Sequence, residues 1–572
     1  MRFSKPLLSL YFSFFGASFF AINFAIAQET DTLVTPRIAA PISVSSSAIK
    51  EVKLWGFYEE LSEGPMLSSD LWKNSNNANL KFAFTKITSD QKFIPLLSLS
   101  KRAVFSGGIG PENDDENLAL LRFNAVLNIG DIAQANQLIG ELSDVKSNEG
   151  LAISYADNLL YENKIEDACQ IVSVLKTNAP NKKLLELRAA CYALHNEGAA
   201  ADLSLEVASS LSNKKNHDWL YRSINYVGAM NGENPPAFAR DFDFNGDNGV
   251  NYALSNRAKA KLNISIPRRA FERYMIDNGI AENKYALSAA KYGLGKYSDL
   301  KKFFIKAPNV ENTSNIYGLT ASPTTPIIVE NLSNDLEQFL KNAYDFNEFY
   351  GLSKSISNEI SQIKETNIDS AKFFAASALI NQNKDAFTRF MAIDFDNNEA
   401  FKLAGSIAFD DKTNYDLPAR LKKSKNQNEI NNAIGDALIA NALGANVAID
   451  EFWNGNFASK MPASQTILFT LDDATKRGAK GEVALFAHLA MQGQNPNSVD
   501  ILSIVRVIAN LNQAGFTQEA KDLAVFTILA RNLEFAPPVP PPLPITKSIS
   551  SSLPKIISKS APSNPPKVKN ID

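Results

Sequence analysis

The chain has 572 residues, 45% of them hydrophobic and 21% charged, with two cysteines and a formal net charge of −3. That weakly acidic balance, with no cluster of lysine and arginine in the body of the chain, argues against nucleic acid as a partner, because neutralising phosphates needs such clusters. Only three histidines occur, and no two of them stand at the spacing of metal ligands on a helix.

The chain opens with Arg2 and Lys5, an apolar run from Leu7 to Phe24, and the small-residue site Ala25-Ile26-Ala27. This is the pattern of a secretory signal peptide over residues 1–27, cleaved before Gln28. The run is long enough that an uncleaved inner-membrane anchor is the alternative. Cleavage removes Arg2 and Lys5 and takes the formal charge to −5. No cysteine follows the site to accept a lipid, and charged or amide residues interrupt every later apolar stretch. The mature protein is therefore expected in the periplasm or secreted, and not integral to a membrane.

Residues 28–50 are rich in Thr, Pro and Ser and read as a disordered linker. Residues 51–117 read as a mostly helical segment whose Trp55, Phe57 and Tyr58 share a core with Trp72. Strand signals are sparse, and two short stretches, Leu80 to Ile87 and Thr325 to Val329, are the candidates for extended structure. Loops are expected at Ser106 to Asn117, Asn231 to Asn251, Ala321 to Pro326 and Asp410 to Asn428.

Residues 118–212 fall into register at an offset of 33 residues. Gly130 corresponds to Asn163 and Asn196 in the turns, Ala135 to Ala168 and Ala201, Ile139 to Val172 and Leu205, and Leu142 to Leu175 and Ala208. Each unit reads as a helical pair with apolar residues at three- and four-residue steps, such as Phe123, Val126 and Leu127. Weaker echoes occur in residues 213–535: Ala289 to Ile305 with a turn at Gly295, Phe373 to Phe390 with a turn at Asn381 to Asn383, and Val505 to Leu529 with a turn at Gly515.

The period, with Ala156, Leu159, Ala168, Val172 and Pro180 in one unit and Ala189, Tyr192, Ala201, Leu205 and Ala208 in the next, resembles the tetratricopeptide family over ~100 residues. The early Trp and the Leu-Gly pair of that family are missing. The resemblance implies an all-α, right-handed helical-repeat solenoid of helix-turn-helix units, in which each pair buries its apolar face on its neighbours.

Cys169 and Cys191 each lie 11 residues from Pro180. Two antiparallel helices folded about that turn would bring them to the same height, so a structural disulfide is expected; two buried thiols are the alternative. Asp241, Asp243, Asn245 and Asp247 resemble the start of a calcium-binding EF-hand loop. Tyr252 occupies the position where the bidentate Glu belongs, so an Asn/Asp/Gly turn is the favoured reading and calcium the weaker one.

Catalytic signatures are absent. Gly295-Lys296 is followed by Tyr297 instead of the Ser or Thr of a phosphate loop, with Ala290 in place of the first glycine. Glu482 and Glu519 read as helix-start carboxylates and not as glycosidase acids. His488 reads as a satisfied helix residue. The last segment, 536–572, combines a proline run from Pro537 to Pro544 with five lysines, and reads as a disordered tail able to contact an anionic envelope surface. No catalytic residue or cofactor is expected. The function expected from this pattern is a scaffold that binds an envelope protein or extended peptide. A degenerate peptidoglycan hydrolase and a calcium-dependent adhesion protein are the alternatives.

Overall fold

The structure is a computed structural model. It describes residues 64–112, 116–129, 148–175, 179–211, 219–230, 248–260, 345–364, 366–411, 415–449 and 462–535, with positions 55, 60, 61, 136, 245, 336, 337, 340, 341 and 343. The leader, the linker, Phe57, Tyr58, Gly130, the Ala289 to Ile305 echo, Thr325 to Val329 and the proline-rich tail lie outside them.

Among the described residues the fold is all-α. In chain order the helices are α1 (Asn77–Lys86), α2 (Ile94–Phe105), α3 (Glu116–Ile129), α4 (Glu149–Tyr161), α5 (Ile165–Val174), α6 (Lys182–Leu194), α7 (Gly198–Ser210), α8 (Trp219–Gly228) and α9 (Gly249–Arg257). Then come α10 (Phe346–Ser355), α11 (Ser357–Gln362), α12 (Ile368–Ile380), α13 (Lys384–Met391), α14 (Asn398–Ala408), α15 (Leu417–Lys423) and α16 (Gln427–Ala442). The last four are α17 (Gln465–Arg477), α18 (Lys480–Met491), α19 (Ile501–Gln513) and α20 (Thr517–Asn532). The described extended pairing is two residues long, Glu60–Leu61 against Gly64–Pro65.

One local device recurs through the repeats. In the hairpins α4–α5, α6–α7, α12–α13, α17–α18 and α19–α20 the first helix ends in a left-handed residue: Asn163, Asn196, Gln382, Gly478 and Gly515. The next amide then donates back across the turn, as in Lys164 N to Leu159 O (3.0 Å), Glu197 N to Tyr192 O (2.8 Å) and Phe516 N to Leu511 O (2.9 Å). This is the Schellman closure, which satisfies carbonyls that the helix end leaves without partners. Gly and Asn tolerate the positive φ best. The helix starts repeat as well: the Asn148 and Asn181 side chains accept from the amides of Leu151 (3.0 Å) and Leu184 (3.2 Å), an N-cap at the same 33-residue offset.

Three local expectations are corrected. Leu80 to Lys86 is helical within α1, not extended. The alternation of Leu80, Phe82 and Phe84 hides a three- and four-residue pattern in which Leu80, Ala83 and Phe84 are buried while Phe82 is 44% exposed. The Asp410 to Asn428 stretch contains the short helix α15, started by the Asp416 cap and Pro418. Glu116 and Asn117 already belong to α3.

A packing seam joins the two ends of the described body. Residues 66–105 lie against α18 and α20, and one apolar cluster holds Trp55, Trp72, Phe84 and Phe93 together with Phe486 and Phe526. Gly481 makes this approach possible, because a side chain there would strike the Trp72 ring; its amide donates to Leu71 O (2.8 Å). Both ring nitrogens of the buried His488 bridge the seam, Nδ1 to Ser100 Oγ (2.6 Å) and Nε2 to Thr88 O (3.1 Å), while Gln91 Nε2 donates to His488 O (2.9 Å).

Under the seam, Trp55 and Trp72 lie 5.6 Å apart. The Arg122 guanidinium stands over both rings and donates to the carbonyls of Val104, Phe105 and Ser106 at the end of α2. Burial pushes the pKa of Arg122 down to about 9, since its charged form loses hydration there.

Cys169 on α5 and Cys191 on α6 form a disulfide, with Cα atoms 5.5 Å apart and a sequence separation of 22. The bridge joins the second helix of one repeat to the first of the next, as the spacing about Pro180 implied. Cys169→Ala with Cys191→Ala is expected to lower unfolding free energy by about 3 kcal/mol, the loop-closure contribution of a bridge this long, read from urea denaturation. An unchanged midpoint would contradict a stapling role.

Candidate functional site

Of the EF-hand-like run, Asn245 alone is described; Asp241, Asp243 and Asp247 lie outside. The Asn245 amide donates to Ser255 Oγ, which donates back to Asn245 O, both at 2.9 Å. Asn248 caps α9 by accepting from the Asn251 amide (2.8 Å), and the buried ring of Tyr252 packs 5.5 Å from Tyr161. The amides of Gly249 and Val250 point at the Asp157 carboxylate (3.1 and 3.3 Å), so an acid from α4 caps this helix. Among the described residues no three His, Cys, Asp or Glu side chains are grouped to hold a metal.

The two carboxylates at helix starts, Glu482 and Glu519, serve the seam with residues 66–105. Glu482 is fully buried and accepts from the Asn76 amide, from Asn79 Nδ2 (2.8 Å) and from Arg477 (2.7 Å). Glu519 pairs with Arg102 at 2.7 Å. These donors occupy the carboxylates, which extends the capping reading: each acid reaches across to a segment some 400 residues away in the chain, 403 for Asn79 to Glu482.

A cleft of about 80 Å³ opens where three parts of the fold meet, bounded by Pro95 of α2, Tyr350 and Lys354 of α10, Leu379 and Ile380 of α12, and Asp522 and Phe526 of α20. One Lys354 N–H donates to Ile380 O (2.5 Å), and the ammonium stands 5.7 Å from the Tyr350 ring centre. Asp522 Oδ1 accepts from Gln518 Nε2 (2.9 Å). No ion pair joins Lys354 to Asp522. Burial pulls the Lys354 pKa down and pushes the Asp522 pKa up, since each charge has lost water without a full replacement.

No family model, curated protein or solved structure matches this chain. Its function therefore has to be argued from its own geometry.

A second feature is an outward apolar ribbon on the repeats. On α7 and its C-cap, Leu203, Val207 and Leu211 stand at four-residue steps and are 63%, 42% and 44% exposed. Val174, one 33-residue period before Val207, is 57% exposed on α5. The two helices carry Glu166, Asp167, Asp202 and Glu206 and no basic residue. Large apolar side chains exposed in register mark an interaction surface more than scattered ones do. The repeat pattern identifies buried positions such as Ala168 and Leu205; of the exposed apolar residues the Val174–Val207 pair shares its offset, whereas Gln170 and Asn178 stand one period before Leu203 and Leu211.

The raised Asp522 pKa has a stability consequence with a definite sign. The folded state holds the proton more tightly than the unfolded chain, so stability falls as pH rises from the ordinary carboxyl range. Asp522→Asn is expected to be more stable than the native chain at pH 7, with the gain shrinking toward pH 4, in urea titrations across that range. A loss at pH 7 would mean that the carboxylate is better solvated than the cleft implies.

Proposed function

We propose that this protein is an exported helical-repeat scaffold of the cell envelope, and that its α5–α7 ribbon docks an apolar segment of another envelope protein. The ribbon carries the reading: Val174 and Val207 are exposed one 33-residue period apart, Leu203 and Leu211 extend the stripe on the second helix and its C-cap, and the charged residues within the two helices are all acidic. The complementary segment has apolar side chains flanked by Lys or Arg, which adds charge steering to apolar burial. Export is supported by the leader pattern ending at Ala25-Ile26-Ala27 and by the Cys169–Cys191 bridge, which suits an oxidising compartment. Among the described residues no helix is long and apolar enough to cross a membrane.

A photo-crosslinking residue at Val207, expressed behind the native leader in a Gram-negative host, tests the reading. The expected result is a dominant adduct whose crosslinked peptide is apolar with basic flanks. It should be lost in Leu203→Lys with Leu211→Lys, and the protein should carry Gln28 at its N-terminus. Adducts unaffected by the lysine substitutions, or none, would remove the ribbon as a docking surface.

A further inference from the structure

The cleft between α10, α12 and α20 goes beyond the scaffold reading and stands independently of it. Its two charged groups are opposite in sign yet do not neutralise one another. Two of the three Lys354 ammonium donors have no protein partner among the described residues, and Asp522 Oδ2 has none either. The exposed side-chain amide of Gln382, a residue held at a φ of 55°, also borders the opening. The rest of the wall is apolar: Leu379, Val525, Phe526 and Leu529.

A ligand that fills such a space lowers the free energy most if it brings a carboxylate to the ammonium, an ammonium to the carboxylate, and an apolar body to the wall. A purely apolar ligand would leave both charges desolvated without partners, and a ligand with one charge would leave one of them so. We propose that the Lys354–Asp522 cleft binds a small zwitterion with an apolar side chain, an α-amino acid of the leucine class. Its carboxylate faces Lys354, its ammonium faces Asp522, and its side chain lies on Val525, Phe526 and Leu529.

The direction of the two pKa displacements agrees: burial drives both, and the mutual attraction of Lys354 and Asp522, with Lys521 also near the acid, does not offset it. Pro95 adds a consequence. One wall belongs to α2 and the others to α10, α12 and α20, so an occupied cleft ties these helices together more firmly and raises the melting temperature.

Isothermal titration of the full mature chain with L-leucine tests the assignment, beside N-acetyl-leucine, which lacks the ammonium, and leucinamide, which lacks the carboxylate. L-leucine is expected to bind and to raise the melting temperature, with each analogue at least ~10-fold weaker, the scale of one lost charge-assisted hydrogen bond. Lys354→Met and Asp522→Asn are each expected to abolish the leucine response. Asp522→Asn is the stringent control, since relief of a desolvated charge favours its folding. No leucine binding, equal binding of N-acetyl-leucine, or a leucine response that persists in both variants would each overturn the assignment. The crosslinking at Val207 does not depend on the cleft, so either reading can fail alone.

Discussion

A helical hairpin cannot bury its own apolar face, and a stack of hairpins passes this problem along until the last one must be covered by something else. Here the cover for α18 and α20 comes from the other end of the described body. Residues 66–105 supply the Trp72 ring against Gly481, the Ser100 and Thr88 contacts to His488, and the Arg102 pair with Glu519. These polar contacts pair donor with acceptor, which buried polar atoms require if the seam is not to cost more than its apolar contacts return.

The same final helix is fixed on another side by a buried charged network. Asp436 of α16 is fully buried and accepts from Arg420 (2.6 Å), Arg531 (2.9 Å) and Asn532 (2.9 Å), so α15, α16 and α20 share one carboxylate. Attraction to Asp436 keeps the Arg420 pKa raised despite its burial, whereas burial dominates for Arg531 and lowers its pKa. Gly435 leaves room for the Arg531 guanidinium, which a side chain would displace. Such a network demands one register between the three helices, because a shifted register would strand a buried charge. With α20 held by this network and by residues 66–105, Asp522 is fixed opposite Lys354, and the cleft inherits its shape from both.

Local features were readable from the sequence where the physics is local. The turn residues Asn163, Asn196 and Gly515 stand at left-handed positions because the Schellman closure needs a positive φ there, and a one-residue requirement leaves a one-residue signal. The Cys169–Cys191 pairing was equally legible, since Pro180 between them fixes an antiparallel turn. Leu80 to Ile87 misled because a strand and a helix that exposes one phenylalanine share an alternating start. Neither the contact of Trp72 with Gly481 nor the facing of Lys354 and Asp522 could be read. Each residue is ordinary in its own helix, and its role exists only once distant segments have packed. A 33-residue period carries no information on which hairpin meets the N-terminal segment.

Whether residues 66–105 and the last described hairpins form one cooperative unit is measured directly by native-state hydrogen exchange. If residues 66–105 complete the core of the last hairpins, the slowest amides of α2 should open with the same free energy and the same denaturant dependence as those of α18 and α20. If α2 instead exchanges through a separate, much cheaper opening while α18 and α20 stay protected, the seam is a surface contact and the last hairpins bury their faces without it.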